Sequence, residues 1–160
     1  MLPFQQYDTR LILRRNYETL QIESWGPNSL RVRATLSPAL REDWVSALLP
    51  VDSVPTRIEI GESEASVTNG QITALISTDG KLRFANATTG QEILAERPIH
   101  ALSVPARYYQ SVKGDLFHIE VKFAAYDAEH FYGLGQHQEA KFDQKGSVID
   151  LIQRNTEVTI

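Results

Sequence analysis

"LFHIEVKF", residues 116–123, is the stretch on which the fold turns. Leu116, His118, Glu120 and Lys122 fall on one side of it, and Phe117, Ile119, Val121 and Phe123 on the other. A period of two over eight residues is the signature of a strand with one face buried and one wet. The same alternation recurs through the chain. "ETLQIES" (18–24) sets Leu20 and Ile22 on one face, and "SLRVRATL" (29–36) does so with Leu30, Val32, Ala34 and Leu36. "TRIEI" (56–60) repeats it through Ile58 and Ile60. Between these runs lie turn signals: "WGPNS", "TNGQ", "TDGK", "ATTGQ" and "VKGD". Short strands separated by such turns predict an antiparallel β-sandwich, not βαβ units.

One segment departs from this pattern. In "SPALREDWVSALLP" (37–50) a Ser cap and a Pro open a run in which Leu40, Trp44 and Leu48 are spaced by four, before Pro50. These signals predict one short helix over residues 38–48. At the other end, "GSVIDLIQRNTEVTI" (146–160) reads as two strand-like runs around an "RNT" turn, the second still alternating at Ile160. That pattern is expected of a chain that continues.

Composition narrows the function classes. The 160 residues are 42% hydrophobic and 22% charged, enough for one real core. A net charge of −4 with scattered basic residues argues against nucleic-acid binding and against a polybasic membrane patch. There is no apolar run of membrane-spanning length and no secretory start in "MLPFQQYDTR", so a cytoplasmic location is expected. Without cysteine there is neither a disulfide framework nor thiolate chemistry. The histidines are His100, His118, His130 and His137, and no pair has the spacing that stacks metal ligands on a helix face. No metal and no cofactor are therefore expected. His118 is read as a solvated strand residue, and Glu62 and Glu64 as a solvated pair. Trp25, Trp44, Tyr108, Tyr109 and Tyr132 could stack on sugars, although packing is the simpler role for each.

The densest cluster of unusual residues is "HFYGLGQHQEAKFD" (130–143). Gly133 and Gly135 stand one residue apart between an aromatic pair and a polar run. "GLG" lacks the third glycine and following helix of a dinucleotide site, and G-x-S-x-G and G-x-x-x-x-G-K patterns are missing. The glycines mark either a tight turn with a solvated loop or the rim of a site.

The run "FYGLGQHQEAKFDQKGSVIDLIQRNTEVTI" (131–160) resembles the end of the N-terminal domain of glycoside hydrolase family 31, the α-glucosidases, α-xylosidases and their relatives. Tyr132 to Gly135 match the family's aromatic-Gly-x-Gly element, Lys145 and Gly146 its basic-Gly element, and Asn155 and Thr156 its closing element. "DGKLRFANATTGQEIL" (79–94) resembles the family's hairpin. Gln136 departs from the pattern, which often has Glu there, so no acid role is assigned at that position. The resemblance implies a β-sandwich of the galactose-mutarotase-like kind, with residues 1–160 as one N-terminal domain of a longer chain. It implies a catalytic (β/α)₈ barrel as partner, carrying both catalytic aspartates, and an α-linked glucoside or xyloside as substrate. Such a barrel takes about 250 residues, so no catalytic residue is expected here. It further implies that the loop after Gly135 reaches the sugar pocket, with Gln136, His137, Phe142 and Asp143 as substrate-binding candidates. Homo-oligomerisation of the full-length enzyme is left open. Two competing readings are a stand-alone carbohydrate-binding sandwich and a mutarotase-like epimerase using histidine and glutamate as base and acid, which needs His118, His130 or His137 to converge with a carboxylate in a groove.

Overall fold

The structure is a computed structural model that describes residues 3–42, 48–52, 54–99, 106–114, 116–135 and 141–151. It divides into two compact units, Met1–Ala124 and Ala125–Ile160. All the regular structure among the described residues lies in the first. Four strands, β1 (Phe4–Tyr7), β2 (Arg10–Arg15), β3 (Glu18–Ser24) and β4 (Leu30–Thr35), form one sheet in chain order. Seven more form a second sheet: β5 (Arg57–Ile60), β6 (Glu64–Asn69), β7 (Ile72–Ser77), β8 (Leu82–Asn86), β9 (Glu92–Arg97), β10 (Arg107–Val112) and β11 (Leu116–Phe123). Its order is β10-β11-β9-β8-β7-β6-β5, and every pairing is antiparallel.

The alternation read from the sequence builds the core. Leu11 and Leu13 of β2 and Leu20 and Ile22 of β3 meet Ala65, Val67, Ala74 and Ile76 of β6 and β7 in one buried cluster. Each is at most 2% exposed. Leu30, Val32, Ala34 and Ile58 pack around this cluster, on the faces the pattern gave them. Burying a Leu, Ile or Val side chain contributes about 1.5–3 kcal/mol, so this cluster is the main source of cohesion between the sheets. The antiparallel β-sandwich is therefore as expected. So is the hairpin of residues 79–94, which becomes β8 and β9 with a bulge at Phe84 and Ala85.

A polar stitch joins the two sheets at one end. Asn69, 3% exposed, donates from Nδ2 to the carbonyls of Gly26 and Ser29, both at 2.7 Å. The Gln71 N–H donates to Asn28 Oδ1 at 2.8 Å. The β3–β4 loop is thus pinned to the β6–β7 turn.

Three expectations need correction. No helix occurs among the described residues. Residues 37–42 and 48–50 are irregular, and residues 43–47 of the predicted helix lie outside the described set. Tertiary bonds take the place of the first helical turn: the Pro38 carbonyl accepts from the Thr19 hydroxyl, and Glu42 pairs with Arg33 and Arg10. The face of β3 that alternation assigned to water is buried too: Thr19, Gln21 and Glu23 are only 4–5% exposed, with Thr19 bonded to Pro38 and Glu23 ringed by Arg10, Arg31 and Arg33.

The second correction concerns β11, which is exposed on both faces. Its apolar side shares a face with Arg107, Tyr109 and Ser111, the partners of Val121, Ile119 and Phe117. Arg107 and Tyr109 reach Glu18 of β3, so this is the inner face of the sandwich. Only Lys122 and Phe123 pair with β9, and the rest of β11 runs with β10 as a two-stranded ribbon. The third correction is at residues 147–151, expected as a strand. They are irregular, with Val148 almost fully exposed, because they have no strand partner among the described residues. Residues 152–160 lie outside that set.

Candidate functional site

The second unit has no strand among its described residues and is held by side chains reaching back to the main chain. Asp143 is the centre of this arrangement. Its Oδ1 accepts from the N–H groups of Phe131 at 3.1 Å and Lys145 at 3.0 Å. Its Oδ2 lies 2.7 Å from His130 Nδ1. The His130 ring and these two N–H donors hold the Asp143 carboxyl well below the usual carboxylate range. The Gln144 N–H donates to the Phe131 carbonyl at 2.7 Å, which closes the segment on itself. Lys145 donates from Nζ to the carbonyls of Tyr126 at 2.6 Å and Asp127 at 2.8 Å. The basic residue of the Lys145-Gly146 element therefore fixes the entry to the loop.

On this frame stands an exposed ladder of rings. His130 and Tyr132 are stacked with centroids 5.9 Å apart, and Tyr132 meets Phe142 at 4.8 Å with a 40° tilt. Phe142 is 83% exposed and Tyr132 55%. Packing inside the unit does not account for rings so open to water. An amphipathic aromatic surface is what a sugar ring stacks against.

The backbone between the two halves of the loop turns through three successive positive φ angles, at Gly133 (87°), Leu134 (63°) and Gly135 (97°). A Cβ added at Gly133 would meet nothing within 4 Å. Its glycine answers the left-handed backbone, not a close neighbour. Leu134 takes the same conformation without that freedom, which is uncommon for a bulky residue.

Of the candidate binding residues, Phe142 and Asp143 are brought together with His130 and Tyr132. Gln136 and His137 lie outside the described residues. His130 was legible only as one of two histidines flanking the glycines, and its pairing across thirteen residues with Asp143 left no local trace. Among the described residues, no group of three His, Cys, Asp or Glu side chains could hold a metal ion, and no helix is long and apolar enough to cross a membrane.

No protein-family model matches the chain. An uncharacterised family 31 glucosidase of Pseudescherichia vulneris is 31% identical over 160 residues, which take in 89% of this chain and 30% of that protein. Alpha-xylosidase A of Aspergillus niger is 26% identical over 175 residues, covering 96% of this chain and 23% of the relative. The crystal structure of a GH31 alpha-xylosidase from a soil metagenome, complexed with xylose, superposes with a TM-score of 0.84 at 32% identity. That match covers 98% of this chain and 25% of the xylosidase. The chain thus spans less than a third of the length of the curated relatives it matches. These matches bear out the resemblance carried by residues 79–94 and 131–160: over nearly all its length this β-sandwich chain is similar to part of glycoside hydrolase family 31 proteins.

Proposed function

We propose that the chain is the non-catalytic N-terminal domain of a retaining α-glycosidase, acting on α-glucosyl or α-xylosyl linkages, with the loop of residues 136–143 forming part of the sugar pocket. The observation that carries this reading is the near-complete coverage of this chain by a quarter of a xylosidase whose crystal structure holds xylose. A catalytic (β/α)₈ barrel needs about 250 residues and alternating helices, whereas the regular elements described here are all strands. The chemistry of bond cleavage is accordingly assigned to the barrel of the full-length enzyme, and no catalytic residue to this domain.

The role proposed for the loop is positional. Phe142 and Tyr132 offer an apolar wall to the leaving-group side of the substrate. A carboxylate has about four acceptor sites, and Asp143 uses three of them on Phe131, Lys145 and His130. One remains for a sugar hydroxyl, with the orientation of the carboxylate already fixed. Gln136 and His137 complete the proposed contact set. The enzyme is proposed to be cytoplasmic.

The epimerase reading would use His130 and Asp143 as an acid–base pair. Their side chains are 55% and 34% exposed, and Asp143 is tied to two main-chain N–H groups, an arrangement suited to a clamp. The test is steady-state kinetics of the full-length enzyme. Asp143→Ala and Phe142→Ala should each lower kcat/KM roughly tenfold to a hundredfold, more for some leaving groups than for others. Wild-type efficiency of both variants on natural disaccharides would reduce the loop to a solvated turn.

A further inference from the structure

The turn between β2 and β3 contains a residue that local energetics does not explain. Arg15 and Glu18 pair across it, leaving Asn16 and Tyr17 as a two-residue loop with φ of 47° and 69°. Such turns need positive φ at both positions, which suits Asn in the first and Gly in the second. Here the second position is tyrosine. A bulky residue in this region is a backbone outlier, and its ring is 93% exposed, so burial does not offset the strain. Aside from Leu134 in the loop described above, the other non-glycine residues at positive φ among the described residues are Asp8, Asn16 and Asn28, types that tolerate it.

The turn borders an open, shallow groove of about 350 Å³, lined by Arg14, Arg15, Tyr17, Glu18, Leu36 and Pro38 among others. That volume is at the small end of ligand sites. Its polar groups are mainly donors. Arg14 Nη1 is bound to Gln5, and Arg15 Nη1 to the Asp79 carbonyl at 2.9 Å. Each guanidinium has five N–H groups, so most of both forks remain available. The Glu18 oxygens are taken by Arg107 and Tyr109. Leu36 and Pro38 add an apolar surface.

An aromatic face, an apolar floor and oxygen-seeking donors together match a pyranose, with its C–H face and ring of hydroxyls. We propose that the β2–β3 turn is a saccharide-binding subsite, in which Tyr17 stacks on one sugar ring and Arg14 and Arg15 donate to its hydroxyls. Strain held at an exposed aromatic is then the mark of a ligand platform. The apolar floor argues against a bare phosphate, which would need the donors alone. The choice of sugar probe rests on the proposed function. The site itself does not.

The test is calorimetric titration of the full-length enzyme, its hydrolytic pocket blocked by a covalent α-glycosidase inactivator. The probes are maltotetraose, an α-xylosylated xyloglucan heptasaccharide and inorganic phosphate. One of the two saccharides should still bind the blocked enzyme. Tyr17→Ala should weaken that binding tenfold or more, Tyr17→Trp should retain it, and Arg15→Met should weaken it too. Hydrolysis of a nitrophenyl glycoside by unblocked Tyr17→Ala should stay at the wild-type rate. Loss of all saccharide binding on blocking, or binding indifferent to Tyr17→Ala, would overturn the subsite. Tyr17-dependent binding of phosphate without saccharide would also overturn it. An inactivator that does not react would count against the proposed function instead, and titration of the unblocked protein would still decide the subsite.

Discussion

Asp143 shows how one carboxylate can organise a segment in a unit with no strand or helix among its described residues. It gathers two main-chain N–H groups and His130 from positions 130, 131 and 145. Its pKa is depressed in the folded protein, so protonation must work against those bonds. The sign follows from linkage: a lowered folded pKa means the stabilisation is complete above the unfolded value, near pH 4, and is lost as pH falls further. Amide hydrogen exchange at Phe131 and Lys145 should therefore be slow at pH 6 and accelerate relative to β6 and β7 below about pH 4. Asp143→Asn should remove that acid transition. Tyr17 allows a second check at this scale. Left-handed backbone costs a non-glycine residue roughly 1–2 kcal/mol, and glycine's unfolded-state freedom gives back about 0.4–1 of it. Tyr17→Gly should thus raise stability to urea by up to about 1.6 kcal/mol, whereas Tyr17→Ala, equally strained, should leave it unchanged.

At the scale of elements, turns decide how strands are joined, and the β6–β7 turn is the most constrained. Gly70 has φ of 58°, and a Cβ there would sit 2.0 Å from Asn28 Oδ1, the acceptor for Gln71. Gly70→Ala would add left-handed strain and break the stitch between this turn and the β3–β4 loop. A loss of about 2–3 kcal/mol is expected in chemical denaturation, combining the strain and one hydrogen bond. Strands and hairpins of this kind were legible in the sequence because a period of two is a property of each strand alone. The cover over each face was not legible. Leu20 and Ile22 fell where alternation put them, but Gln21 and Glu23 on the opposite face are buried as well, Glu23 among Arg10, Arg31 and Arg33. The inner face of β11 is apolar by pattern and still open. The described start of the predicted helix, residues 38–42, is irregular for a related reason: Glu42 and Pro38 are held by Arg33, Arg10 and Thr19, partners nine to thirty-two residues away. In the candidate site, the glycines and Phe142 could be singled out by type, whereas the His130–Asp143 pairing depends on the loop's path.

The sandwich as a whole is fastened by an ionic cluster that no sequence pattern announced. Arg107 of β10 is 7% exposed and binds Glu96 of β9 at 2.6 Å, Glu18 of β3 at 2.7 Å and the Gly80 carbonyl at 2.7 Å. Glu96, 4% exposed, also accepts from the Leu82 N–H, and Tyr109 donates to Glu18 at 2.8 Å. One guanidinium thus links both sheets and the β7–β8 turn. Burial alone would lower the Arg107 pKa, but the hydrogen bonds and charge of Glu18 and Glu96 outweigh it and hold the guanidinium above its usual range. Tyr109 is pushed upward by burial and then by Glu18, so it stays a neutral donor. Such a cluster contributes less to net stability than its geometry suggests, because desolvating the ions costs several kcal/mol per ion. Its asymmetry is the testable part. Arg107→Met keeps the apolar stem but leaves two carboxylates facing each other away from water. This should cost about 3–5 kcal/mol. The double variant Arg107→Met with Glu96→Gln removes one stranded charge and should recover part of that loss. Equilibrium urea denaturation of the single and double variants measures both. If Arg107→Met unfolds at the wild-type urea concentration, the cluster does not fasten the sheets and the apolar cluster between them suffices.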